Sequence, residues 1–188
     1  PEWPQIFDRL MGDNMIAFFR RWIRAVLGVF KSETKLSEHV MRALKECCTT
    51  SADFSSELYW TCLGESSLVD ELKDNQEVEK QRALFESIDA VLKEVERRKG
   101  SRLQRIELLR HLLASPEQGI LLKAQQSVLI PGLQGSQNGR TCALVAGKAS
   151  LFKSTAQAAF IPFLSGPDSQ SLPLIYKRGD DLRRDASV

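Results

Sequence analysis

From Asn75 to Lys99, Val78, Leu84, Phe85, Ile88, Val91, Leu92 and Val95 recur at helical spacing. A stripe of that length and period requires a long helix with one covered face. Arg97, Arg98 and Lys99 close the segment, where cations suit the helix dipole, and Gly100 stops it. Similar patterns surround it. Met15, Ile16, Phe19, Trp22, Ile23, Val26, Leu27 and Phe30 predict an amphipathic helix over 15–30, capped by Asp13 or Asn14. A second helix is expected over 37–46, with Ser37 as cap and Val40, Met41 and Leu44 on one face. TTSADF then reads as a break, and SELYWTCLG as a short apolar helix over 56–64. A last helix over 102–113 turns Leu103, Ile106, Leu109 and Leu112 inward and ends at Ser115 and Pro116. The prediction is stacked helical hairpins over residues 1 to about 115, with Trp22, Tyr59, Trp60 and Phe85 in the core. No fixed-period repeat is present.

After Gly119 the pattern changes. SVLIPG, TCALVAGKASLFKS, AAFIPFL and LPLIYK are short apolar runs separated by clusters of Gly, Gln, Ser, Asn and Pro, as in LQGSQNGRT and SGPDSQSLP. They read as strands of an antiparallel sheet, with Pro162 marking an edge or a bulge. RGDDLRRD opens a further helix. The fold class is therefore α+β: a helical domain over 1–118, then a sheet-bearing domain over 119–188.

Composition narrows the partners. In 188 residues, apolar content is 43%, charged content 27% and net charge +2, ordinary values for a globular protein. Such a charge gives no general argument for nucleic acid. Cys47, Cys48, Cys62 and Cys142 form no CxxC pair, and His39 and His111 are far apart, so no zinc site is expected and the thiols read as reduced. Cys62 reads as a small core residue. Arg20, Arg21 and Arg24 interrupt the 15–30 segment, which is also too short to span a bilayer. A basic amphipathic helix can lie on a membrane, but packing against neighbours is the simpler reading. The chain has no signal-peptide pattern, begins at Pro1 and stops at DASV as a new element opens, so it reads as a piece of a longer protein.

The most informative stretch is LIYKRGDDLRRD, Leu174 to Asp185. It places Lys177 at the end of an apolar run read as a buried strand. A buried ammonium requires an anion. A second lysine, Lys153, stands beside Ser154 in the turn between two earlier strands. Two cations, a hydroxyl and a loop between strands are the groups that hold a polyphosphate.

KRGDDLRRD resembles the phosphoinositide 3-kinase motif K-x-G-D-D-L-R-Q-D, with Arg184 where the family has glutamine. LFKS, Leu151 to Ser154, resembles that family's phosphate-binding loop, and ELYWTCLGE, Glu57 to Glu65, resembles the L-Y-W helix of its helical domain. The resemblance is closest to the class III, vacuolar-sorting, phosphatidylinositol 3-kinases and covers about Ser37 to Val188. It implies the end of a helical accessory domain joined to an incomplete kinase N-terminal lobe. It implies ATP and Mg²⁺ as cofactors and phosphatidylinositol in a membrane surface as substrate. Regulatory protein subunits are implied as partners, and nucleic acid is not. A cytoplasmic location, peripheral on endosomal or autophagic membranes, follows from the same resemblance.

By position, Lys177 is similar to the lysine that contacts ATP phosphates, and Ser154 and Lys153 to the phosphate-loop contacts. Phe152 and Ile175 correspond to the adenine-pocket wall, and Asp185 to the acid that arranges the inner pocket. Ala158 stands near a place where the family often has proline, and neither D-R-H-x-x-N nor D-F-G occurs in the chain. The metal ligands are therefore expected outside this segment, which alone should be inactive. Other readings are a related 4-kinase, a protein kinase of the same superfamily, or a non-catalytic helical scaffold. The bland readings of the individual residues are a snorkelling Lys177, helix caps at Asp180 and Asp181, and a salt-bridged Asp185.

Overall fold

A computed structural model describes residues 15–30, 34–62, 72, 74–130, 140–153, 158–165 and 170–178. The fold is α+β, helices followed by a small antiparallel sheet. The chain divides into two compact units, Pro1–Val78 and Glu79–Val188.

In the first unit, α1 (Met15–Phe30), α2 (Thr34–Thr50) and α3 (Ala52–Cys62) share one core. Phe19, Val40, Met41, Leu44, Phe54, Leu58 and Tyr59 are buried in it. The rings of Phe19 and Phe54 lie 6.1 Å apart, and Trp60, half-buried, meets Tyr59 edge-on at 5.6 Å. Two expectations need correction. Trp22 is 49% exposed, because Phe19 and Val26 set the inward stripe and Trp22 falls at its margin under the Arg21 guanidinium. Ser37 lies inside α2, which starts at Thr34. The break at TTSADF is a single residue: only Ser51 separates α2 from α3, and its hydroxyl accepts the Phe54 N–H at 3.2 Å as a helix cap does.

Buried polar groups in this unit are paired, as burial demands. Ser55 donates to the carbonyls of Cys48, at 2.9 Å, and Ser51, at 3.1 Å. Asn75 donates to the Cys48 carbonyl at 3.3 Å, while its own carbonyl accepts the Glu77 and Val78 N–H groups. It thereby caps α4 (Gln76–Arg97). Cys47 and Cys48 are buried free thiols. Burial pushes Cys47 up to about 11, with Cys48 and Glu46 adding to the rise, and burial raises Cys48 as well. The side chain of Cys62 lies outside the described residues.

The second unit opens with most of α4, whose expected stripe is buried as predicted. A capping box starts α5 (Arg102–Ala114): Ser101 accepts the Gln104 N–H, and the Gln104 side chain accepts the Ser101 N–H at 2.9 Å. Gly100, at φ +154°, leaves room for it, since a Cβ there would meet Gln104 Oε1 at 2.8 Å. Ile106, Leu109 and Leu113 face inward. Leu103 does not: it is 70% exposed, because Arg102 takes the sheet-facing place in the first turn. Helical structure continues beyond Gly119 (φ +59°) as α6 (Ile120–Gln125).

The sheet comprises β1 (Thr141–Leu144), β2 (Ser150–Leu151), β3 (Ala159–Ser165) and β4 (Gln170–Tyr176). β3 pairs along its whole length with β4 on one side, so β1 and β2 share the other. Thr141 ties β1 to α6, donating to the Ala124 carbonyl at 2.6 Å. Pro162 was expected at an edge or bulge but lies in the central strand. Its carbonyl accepts from Val145 N at 2.9 Å, so its nitrogen also faces the β1–β2 side. There the ladder is interrupted by the turn at Ala146–Lys148. Pro173, opposite Pro162 on β4, turns its nitrogen away from β3. Neither proline removes a bond from the β3–β4 ladder.

Phe54→Ala should destabilise the first unit by about 3–5 kcal/mol, read by urea denaturation, because it empties a buried aromatic site. Unchanged stability would contradict the packing described. Cys47 should resist iodoacetamide at neutral pH while the chain is folded and react readily in urea, since the buried thiol holds its proton. Its contribution to stability is present below the ordinary thiol pKa and lost as pH rises towards 11.

Candidate functional site

The sheet register decides which candidate residues share a face. Ser150 pairs with Phe160, which pairs with Ile175; Leu151 pairs with Ala159, which pairs with Tyr176. One residue further, Phe152 N donates to the Ala158 carbonyl at 2.8 Å. Phe152, Ala158 and Lys177 therefore form the next rung. Opposed residues point to the same side of a sheet, and the side alternates along each strand. Leu151, Ala159, Ile161, Phe163, Leu172, Leu174 and Tyr176 belong to the inner face, and all but the half-buried Leu174 and Tyr176 are buried. By the same alternation, Phe152, Phe160, Ile175 and Lys177 belong to the other face.

That other face is exposed at its margins and covered at its centre: Phe152 is 44% and Ile175 57% exposed and Lys177 is exposed, whereas Ala158 and Pro162 of β3 are buried and Phe160 is half-buried. Lys153, one residue beyond Phe152, is exposed as well. The expectation that Lys177 is buried is thus corrected: it leaves an outer strand at the exposed margin of that face, so no buried charge forces an anion on it. β2 and β4 run in the same direction with β3 between them, so Lys153 and Lys177 emerge at one end of the sheet. Two strand spacings, roughly 10 Å, separate β2 from β4. An apolar, partly aromatic face with cations at one end suits a ligand having a flat ring and an anionic tail. Ser154, Asp180, Asp181 and Asp185 lie outside the described residues. So does the helix expected to open at RGDDLRRD.

Residues not singled out in the sequence hold both lysine-bearing segments. Arg178 donates to Asp89 at 2.9 Å and to Glu96, two acids seven residues apart on α4. Tyr176 stacks on Phe85 of the same helix, with ring centroids 6.1 Å apart and planes 12° apart. Lys177 is thus flanked by two residues clasped to α4, on the face opposite to Tyr176. On the other side, Arg102 donates to the Leu151 carbonyl through Nε, at 3.1 Å, and through a terminal nitrogen. Arg110 Nε donates to the Ala149 carbonyl at 2.9 Å. Two arginines of α5 so grip the strand that leads into Phe152 and Lys153. The i, i+7 acids of α4 were legible as a pattern, but their partner 82–89 residues away was not. No cluster of three or more His, Cys, Asp or Glu suited to a metal occurs among the described residues.

Arg178→Ala should destabilise the second unit by about 1–3 kcal/mol, because charge-assisted bonds are lost and two partly buried carboxylates lose a partner. Lys should restore only part of this, since it lacks the planar fork that serves two acids. Urea denaturation of the three proteins checks the order.

No family model matches the chain. It is 32% identical over 120 residues, 60% of its length, to "Phosphatidylinositol 3-kinase VPS34" of Arabidopsis thaliana. The chain covers only 13% of that relative. At this level the chain is similar to a part of a phosphatidylinositol 3-kinase.

Proposed function

We propose that the chain is part of a lipid kinase that transfers the γ-phosphate of ATP to the 3-hydroxyl of phosphatidylinositol. It supplies a helical scaffold and the lysine that binds ATP phosphate. The observation that carries this reading is the shared outer face of Phe152, Ile175 and Lys177, with Lys153 at the same end of the sheet. The partial similarity to a phosphatidylinositol 3-kinase supports the choice of phosphoryl donor and lipid acceptor.

The described residues suit the nucleotide. Phe152 and Ile175 offer apolar surface to a purine ring, and Lys153 and Lys177 offer ammonium groups to phosphate oxygens. The clasp of Arg178 to Asp89 and Glu96 limits the travel of the β4 end, and the grip of Arg102 on Leu151 does the same for the loop. Preorganised cations of this kind act on charge that shifts during transfer, so they favour the transition state as well as bound ATP. Ser154 and Asp185 belong to the same reading by resemblance. Mg²⁺ would neutralise phosphate charge in such a reaction, and the described residues provide no set of ligands for it. In this reading the metal ligands and the groups that activate the inositol hydroxyl come from other parts of the polypeptide. The setting is a cytoplasmic one, peripheral on endosomal or autophagic membranes, with regulatory subunits attached. No described helix is long and apolar enough to cross a membrane.

In the complete polypeptide, Lys177→Met should lower phosphoryl transfer on the order of 10²–10³-fold while the fold is kept, because Met retains the apolar stem and removes the cation. The 188-residue chain alone should form no phosphatidylinositol 3-phosphate. Activity of Lys177→Met within a few-fold of the parent would favour the non-catalytic scaffold, and radiolabelled phosphate incorporation into phosphatidylinositol vesicles distinguishes the two.

A further inference from the structure

The corner between α4 and α5 has a charge and shape that the nucleotide reading does not use. Residues 97–111 carry six Arg or Lys and a single carboxylate, Glu107. Arg97, Arg98 and Lys99 are exposed at the end of α4, and Arg98 and Lys99 make no ion pair among the described residues. Arg98 and Lys99, with Gln104, Glu107, Leu108 and His111, line an open cleft of about 380 Å³. Leu103, four residues beyond Lys99 in the chain and one helical turn before Glu107, is 70% exposed. A leucine so placed in a first helical turn contributes nothing to the core of its own helix.

We infer that this corner is a docking surface for an anionic lipid bilayer, with Arg98 and Lys99 against the headgroups and Leu103 entering the boundary of the acyl region. Two physical terms argue for a bilayer. Cations near an anionic leaflet are attracted within a Debye length, and an exposed leucine in the turn that follows them gains only where an apolar phase lies behind the charges. The position fits as well. Arg102, between Lys99 and Leu103, is bonded to the Leu151 carbonyl, so the corner lies beside the strand end that leads to Phe152 and Lys153. The inference deepens the lipid-kinase reading, since it would hold the phosphate-bearing end of the sheet near the membrane that contains the acceptor.

The test uses the chain itself, without nucleotide. It is sedimented with vesicles of pure phosphatidylcholine and with vesicles of equal parts phosphatidylcholine and phosphatidylserine. Binding to the mixed vesicles alone, weakening as salt is raised, is expected. Neutralising Arg98 and Lys99 together, Arg98→Gln with Lys99→Gln, should weaken binding about thirtyfold. Leu103→Ser should weaken it about tenfold. All three positions are exposed, so folding should persist, and thermal melting verifies it. Arg21→Glu, on the α1 face that exposes Trp22, should have little effect.

Absence of binding to the mixed vesicles would overturn the inference. So would binding that follows Arg21→Glu rather than the corner variants. An effect of the two cations without any effect of Leu103, with equal affinity for a single-stranded oligonucleotide, would mean a general polyanion surface and also overturn it. Vesicle binding and phosphoryl transfer fail separately: loss of activity in Lys177→Met bears on the kinase reading, and these measurements on the corner.

Discussion

The second unit depends on the register of β3. This strand pairs with β4 along its full length and is shared on its other side by two short pieces, β1 and β2. Its residues alternate between a buried inner face, carrying Ala159, Ile161 and Phe163, and an outer face. A shift of one residue would exchange the faces. The apolar wall and its lysine would turn into the core, and Phe163 would turn to solvent. The buried inner face therefore holds Phe152, Ile175 and Lys177 on the outer side more firmly than any direct contact among them.

Arginine provides the second layer of order. Arg178 reaches two acids of α4, and Arg102 and Arg110 reach two main-chain carbonyls at β2. The bonds satisfy carbonyls at the start and end of a strand only two residues long. A planar guanidinium suits this use because it keeps its charge and serves more than one acceptor. Lys153 and Lys177, by contrast, are exposed and stand at the same end of the sheet.

The kinase reading and the lipid-surface reading concern different groups of the same unit. One uses the outer face of the sheet, the other the helical corner whose Arg102 reaches Leu151. If both hold, a bilayer-bound corner and a nucleotide-bound sheet would be linked through α5, whose Arg102 and Arg110 hold β2. The chain's similarity to a phosphatidylinositol 3-kinase covers 13% of that protein, so the catalytic role belongs to the proposal, and the α+β architecture and the register stand without it.

By itself the sequence determined the helices, the change to strands and the main buried stripe. These depend on local spacing: Val78 to Val95 share a helix face at 3.6 residues per turn whatever lies elsewhere. The resemblance around Lys177 is likewise read from the chain alone, because its residues are adjacent. Only the tertiary structure decided which face Lys177 occupies, since alternation gives two faces and packing chooses the buried one. The same holds for Trp22 and Leu103. Periodicity marks both as apolar, but the neighbouring elements placed them in solvent. Pro162 could stand in a central strand because the opposite ladder is interrupted there, a fact of pairing rather than of composition. The clasp of Arg178 to Asp89 and Glu96 joins residues more than 80 positions apart, a distance over which one sequence carries no pairing signal.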